Sequence, residues 1–185
     1  MCKIDRCQAA VELDLPDFGR ARPAPRVTLS LMQLSEAFLS LGENTFAQLV
    51  RQISSGKLRT FQLYEPLKGR AHLAKLNTET LRKATPKFWA RLNERDDEFA
   101  RDLAQAVLVC HMEMIVAVLN LLGIPNNDGF FDKNLDPSKH LTEGWQERVY
   151  EEFRGRFPEP VLLLYINHLA WELEKEPRMF TPAAA

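Results

Sequence analysis

The sequence predicts a mainly α-helical protein, with a small β-hairpin in its N-terminal half and a helical bundle in its C-terminal half. Three observations carry this. Apolar residues return every three or four positions through most of residues 31–173, the mark of helices with one buried face. The stretch Lys57 to Tyr64 instead alternates apolar and polar side chains at its end, as a half-buried strand does. Pro and Gly punctuate the joints between these stretches, where chain breaks belong. At 185 residues, 45% hydrophobic and 26% charged, the chain has the balance of an ordinary globular protein and enough length to bury a core. That apolar content excludes extensive disorder, and 8 Gly and 11 Pro without a period exclude collagen-like and low-complexity classes. Three cysteines exclude a disulfide scaffold.

Residues 1–26 are expected to form an irregular arm, broken by Pro16, Gly19, Pro23 and Pro25. A first helix fits residues 31–41, where Leu31, Leu34, Phe38 and Leu41 share a face. Ser30 and Gln33 stand at capping-box spacing, and Gly42 follows as the C′ residue. A second helix fits residues 46–54 on the stripe Phe46, Leu49, Val50 and Ile53, with Gly56 as its stop. Lys57 to Tyr64 is the first strand of the hairpin, Glu65-Pro66-Leu67-Lys68-Gly69 its turn, and Arg70 to Leu76 its return. Thr78 caps a short helix through Ala84. Thr85-Pro86 then opens the next one, since Pro has no N–H to lose at a first helical position.

From Lys87 to Leu122 the pattern is helical almost throughout. Asn93 is a candidate start for a separate helix, with Asp96, Asp97 and Glu98 favourable in its first turns. Ala106 to Leu122 reads as a buried central helix. Gly123-Ile124-Pro125 ends it, and a loop runs from Asn126 to His140. Thr142 caps a helix carrying Trp145, Val149, Tyr150 and Phe153. Pro160 opens a last helix with Leu162, Tyr165, Ile166, Leu169 and Leu173. The expected organisation is an arm at 1–26, a basic helix-turn-helix-like part at 27–85, an acidic bundle at 86–176 and a frayed tail at 177–185.

The net charge of −1 conceals a split. Residues 1–44 carry five Lys/Arg and six Asp/Glu, residues 45–95 eleven against three, and residues 96–185 eight against sixteen. The middle segment is therefore +8 and the last −8. Either the basic segment meets an anionic partner such as nucleic acid, or the two segments attract each other within one fold.

Helix, short Gly-containing turn, helix and basic hairpin are the ingredients of a helix-turn-helix. Duplex DNA is a dense line of negative charge, so its binding face needs Lys and Arg along it. Residues 45–83 supply Arg51, Lys57, Arg59, Lys68, Arg70, Lys75, Arg82 and Lys83. On the second helix Thr45, Gln48, Arg51 and Gln52 fall off the apolar stripe. Gln and Arg suit base edges, and Lys suits phosphates as a point charge.

The segments LSEAFLSLG (34–42), FAQLVRQISSGKLRTF (46–61) and KLNTETLRK (75–83) resemble the winged helix-turn-helix of the MerR/excisionase type. The resemblance implies a winged-helix-like N-terminal part. Gln48 and Arg51 would face bases, and Arg59, Lys68 and Arg70 would hold phosphates from the wing. The expected nucleic-acid-binding set is Gln48, Arg51, Gln52, Lys57, Arg59, Lys68, Arg70 and Lys75. The expected function is DNA binding, as a transcriptional regulator, with apolar helices such as 103–122 supplying a homodimer seam. The alternative is a helical protein–protein interaction module with no nucleic-acid role.

Other chemistry finds little footing. His111 and His168 lie in apolar stretches, but there is no Glu-x-x-His pair and no HExxH. They read as hydrogen-bonded bundle histidines, with His168 and Glu172 in i, i+4 reach. Asn126-Asn127-Asp128-Gly129 resembles the start of a calcium loop, yet Ile124 and Leu135 would fall at its first and twelfth positions. Phe130 and Phe131 are expected to anchor that loop. Walker A, GxGxxG and GxSxG motifs are absent, so no enzyme, cofactor or metal is expected. Cys2, Cys7 and Cys110 read as reduced thiols of a cytoplasmic protein. The first twenty residues are charged and lack the apolar core of a signal peptide. Ala106 to Leu122 falls short of the ~20 apolar residues of a membrane span, and no membrane association is expected.

Overall fold

Gly42 turns the chain between the first two helices. In a computed structural model, which describes residues 32–53, 55–61, 63, 77–94, 96–132 and 134–183, helix α1 covers Leu34–Ser40 and α2 covers Gly42–Arg51. Only Leu41 lies between them. Gly42 sits at φ +74°, the left-handed conformation that ends a helix and that Gly adopts without a Cβ penalty. The capping role at α1 falls on Gln33, whose N–H donates to Glu36 Oε2 at 3.4 Å, one turn later than the Ser30–Gln33 spacing suggested. Glu43, Asn44 and Thr45, expected as a linking turn, complete the first turn of α2 instead.

The strand expected from Lys57 is a helix. Helix α3 covers Ser55–Thr60, and Leu58, Phe61 and Leu63 are all buried. Leu58 and Phe61 are three apart, so one helical turn buries both, and Leu63 N–H then closes the end on Leu58 O at 2.8 Å. The hairpin turn at 65–69 and the returning strand at 70–76 lie outside the described residues, as does the arm at 1–26. Among the described residues there is no strand, only an isolated bridge between Asn127 and Phe130.

Helix α4 covers Thr78–Asn93. Asn77, not Thr78, is its cap, accepting from Thr80 N–H at 2.8 Å. The helix runs on through Pro86, where a new helix was expected to start. Pro86 and Arg82 are exposed. The carbonyl of Arg82, which loses its helical donor to the proline ring, therefore lies on the water side. Buried Thr85 donates its hydroxyl to Leu81 O at 3.1 Å. Helix α5 covers Asp97–Leu108, capped by Asp96 rather than Asn93 through Phe99 N–H at 3.0 Å. A 3-10 turn at Val109–His111 leads into α6, Met112–Leu121. Helices α7 (Trp145–Phe153) and α8 (Glu159–Leu173) complete the described elements. All of them belong to one compact unit, Leu31–Ala185.

Phe46 holds the N-terminal helices to the rest. Its ring meets Phe38 of α1 edge-on at 5.9 Å, Phe88 of α4 at 5.7 Å and Trp89 at 6.5 Å, and Phe88 stacks on Phe99 of α5 at 6.2 Å. Ser35 ties α1 to α5 by donating both its N–H and its hydroxyl to Asp97 Oδ1. Helix α8 is buried on every side from Val161 to Ala170 apart from Leu163. It takes the central place expected for 106–122, where Met112, Val116, Ala117 and Leu121 are only half-buried. The helical stretch Asp97–Leu121 is long and apolar enough to cross a bilayer. However, half of its most apolar window is buried inside the protein, as in a core helix.

The tail expected to fray is fastened through Phe180. Asn167 of α8 accepts from Phe180 N–H at 2.7 Å and donates to Phe180 O at 3.2 Å. The Phe180 ring packs against Tyr150 at 5.6 Å. The loop after α6 is pinned by a tight turn in which Asn127 and Phe130 exchange hydrogen bonds of 2.8 and 3.0 Å. Asp128 and Gly129 carry φ of 50° and 93°, the signs a type I′ turn requires. Gly129 is buried against α6, and a Cβ there would stand 2.7 Å from Met112 Cε.

Phe46→Ala is expected to cost about 3–5 kcal/mol of unfolding free energy, because the ring lies between three helices and leaves a cavity. Gly42→Ala meets open space, so its cost is the left-handed backbone alone, roughly 1–2 kcal/mol. Urea unfolding followed by circular dichroism measures both.

Candidate nucleic-acid interface

The apolar stripes of α2 and α4 face each other, which turns their polar stripes outward together. On α2 the exposed residues include Gln48, Arg51 and Gln52. Arg51 reaches across to α4, with Nη1 3.5 Å from Thr78 Oγ1. Arg82 lies one turn beyond Thr78 on the same side. Lys83 and Lys87 continue the exposed arc of α4 with Pro86 and Ala90 between them. Arg51, Arg82, Lys83 and Lys87 are all exposed on these two packed helices, Arg51 and Arg82 on the Thr78 side of α4 and Lys83 and Lys87 farther round it. Lys83 pairs with Glu79 at 3.1 Å, with both side chains well exposed, a contact worth little in water. Arg51, Arg82 and Lys87 form no ion pair with a described carboxylate.

The expected site residues separate into three groups. Gln48, Arg51 and Gln52 are exposed on α2, and Arg59 is exposed on α3. Lys57 is buried, only 5% exposed, and does not belong to an open cationic face. The helical turn that replaces the strand carries it inward beside Leu58. Lys68, Arg70 and Lys75 lie outside the described residues. Three exposed cations of α4, Arg82, Lys83 and Lys87, were not in the expected site set. Their spacing along one helix is the signal that marks them, once α4 is seen to continue through Pro86.

Gln52 is held. His111, in the 3-10 turn between α5 and α6, places Nε2 2.6 Å from Gln52 Oε1, and Cys110 Sγ donates to Gln52 O at 3.6 Å. Burial depresses the His111 pKa. It is therefore neutral at pH 7, and the contact requires the Nε2–H tautomer. This α2 side chain is thus engaged by the C-terminal half of the chain.

A second polar cluster lies inside. Arg101 of α5 faces Glu172 of α8, Nε to Oε1 3.6 Å, and its guanidinium covers the Trp171 ring at 4.9 Å. The His168 ring lies near-parallel to that indole at 6.4 Å. The expected i, i+4 contact of His168 with Glu172 is replaced by the Arg101–Glu172 pair. His168 Nδ1, Arg101 Nε and Glu172 Oε1 are buried without a hydrogen bond to the protein. Burial, reinforced by the Arg101 charge, pushes the His168 pKa down to about 4. Burial pushes the Glu172 carboxyl up, with Arg101 opposing. Among the described residues no group of three or more His, Cys, Asp or Glu side chains is placed to hold a metal ion.

The fold is that of a mainly helical protein with exposed cations on two packed helices. No protein-family model, curated protein or solved structure matches the chain.

Acid is expected to destabilise the fold through His168. Its pKa is about 4 in the folded chain against an ordinary 6.5. Below pH 6.5 the unfolded chain takes up a proton that the folded chain refuses. The stability is complete above that pH and falls by up to about 3 kcal/mol as pH drops toward 4. His111, also depressed, acts in the same sense, while the raised carboxyls of Asp97, Asp102 and Glu172 act in the opposite one. In His168→Asn, the slope of unfolding free energy between pH 6.5 and pH 5 should shrink whatever the variant's overall stability.

Proposed function

We propose that the protein binds DNA through the joint surface of α2 and α4. The observation that carries this reading is the exposure of Arg51, Arg82, Lys83 and Lys87 on two packed helices, with Arg51, Arg82 and Lys87 in no ion pair with a described carboxylate. Six to ten phosphate contacts make a tight non-specific complex, and these four cations, with Arg59 nearby in sequence on α3, supply a large part of that number. The helix–Gly42–helix arrangement supports the reading, because it presents α2 with Gln48 and Arg51 outward. No β wing enters the proposal: Lys57–Thr60 are helical.

Labelled duplex DNA should bind with an affinity that falls steeply between about 50 and 200 mM salt. The pair Arg51→Ala with Arg82→Ala should weaken binding by roughly tenfold or more at about 50 mM salt and flatten the salt dependence by about two contacts. Both side chains are exposed, so circular dichroism and unfolding should be unchanged. Fluorescence anisotropy reads the binding. No binding at low salt would leave the face without this role and favour an acidic protein partner instead.

A further inference from the structure

Resting on that reading, we infer that the ligand is the phosphate backbone of double-stranded DNA, held with little sequence preference. Two placements lead here. The first concerns the aromatics. Single-stranded nucleic acid is bound by stacking its bases on aromatic rings. The aromatic side chains described on α2, α3 and α4 and just after α3 are turned inward. Phe46, Phe61 and Phe88 are buried, and Trp89 is half-buried against Phe46. The outward faces of α2 and α4 offer Gln48, Arg51, Arg82, Lys83 and Lys87 in their place. Those groups meet phosphate oxygens, which a duplex presents in two regular rows.

The second placement concerns selectivity. Reading a sequence takes several side chains that hydrogen-bond base edges, each good bidentate pair contributing about 1–3 kcal/mol of discrimination. Of the α2 side chains suited to that task, Gln52 is engaged by His111 at 2.6 Å. Arg51 leans on Thr78 toward the α4 cations. Gln48 and Asn44 remain, two side chains against at least four cations. The face therefore positions itself on the backbone and discriminates weakly among base pairs.

The test uses the full chain in anisotropy titrations at about 50 mM salt, where phosphate contacts are strongest. The probes are two unrelated duplexes of about 20 base pairs and their separate strands. The two duplexes should agree within about tenfold, and the single strands should bind more weakly than either by at least about tenfold. Gln48→Ala should change duplex affinity less than about threefold. Arg82→Ala with Lys87→Ala should weaken both duplexes alike and lower the salt slope by about two. Single strands binding within tenfold of the duplexes overturns the inference. So does a preference of tenfold or more for one duplex that Gln48→Ala abolishes. Both results would leave DNA binding itself standing. Binding of neither form would overturn the DNA reading, and this inference with it.

Discussion

The packing of α2 on α4 around Phe46 is the constraint from which the rest follows. An isolated ten-residue helix is marginal in water, because helix nucleation is costly and the gain per residue small. Helix α2 persists because Phe46, Ala47, Leu49 and Val50 are buried. Once Phe46 sits between Phe38, Phe88 and Trp89, the rotation of α2 about its axis is fixed. Gln48, Arg51 and Gln52 must then face away from Phe46, and Arg51 reaches Thr78 of α4. The cationic surface is thus a consequence of which residues are apolar.

The interior polar groups of the C-terminal half divide by how well they are satisfied. Asn167 is buried, but its amide bonds Leu163 O and both backbone groups of Phe180, so its desolvation is offset and the tail is fixed in register. The Arg101–His168–Glu172 cluster lacks such closure. Its ion pair is long, and an unmade hydrogen bond on a buried group costs about 1–3 kcal/mol. The depressed histidine and raised carboxyl express that cost as proton affinity. Acid sensitivity therefore arises where α5 meets the C-terminal end of α8 and at His111 beside Gln52. The aromatic joint at Phe46, which contains no titrating group, is indifferent to pH.

Helix type and most helix cores were legible in the sequence because three-and-four spacing reports burial directly. Leu34 and Phe38, the stripe of α2, and Val149, Tyr150 and Phe153 all occupy the buried faces that spacing implies. Gly42 was legible too, since only one residue type takes φ +74° cheaply. The failures have specific causes. Leu58, Phe61 and Leu63 satisfy both a period of two and a step of three, and short segments cannot choose between them. Pro86 reads locally as a helix start, yet an exposed carbonyl one turn earlier lets the helix continue. Lys57 looked like a surface cation because no local pattern says which way a six-residue helix will roll. The Gln52–His111 bond joins positions 59 residues apart, and nothing in the neighbourhood of either residue announces it.

The charge split takes a different meaning once the helices are in place. If the +8 and −8 segments existed to hold each other, the exposed cations of α2 and α4 would lie under carboxylates of the later helices. Among the described residues the ion pair that crosses the divide, Arg91–Asp96 at 3.7 Å, joins residues five apart at a helix junction. Several acids of the later segment already have local duties: Asp96 caps α5, Asp97 binds Ser35, and Glu174 accepts from Trp145 Nε1 at 2.7 Å. Attraction between the two sets at longer range is screened within about 8–10 Å at ordinary ionic strength. The acidic charge is thus partly committed to caps and ties, whereas among the described residues Arg51, Arg82 and Lys87 pair with no carboxylate.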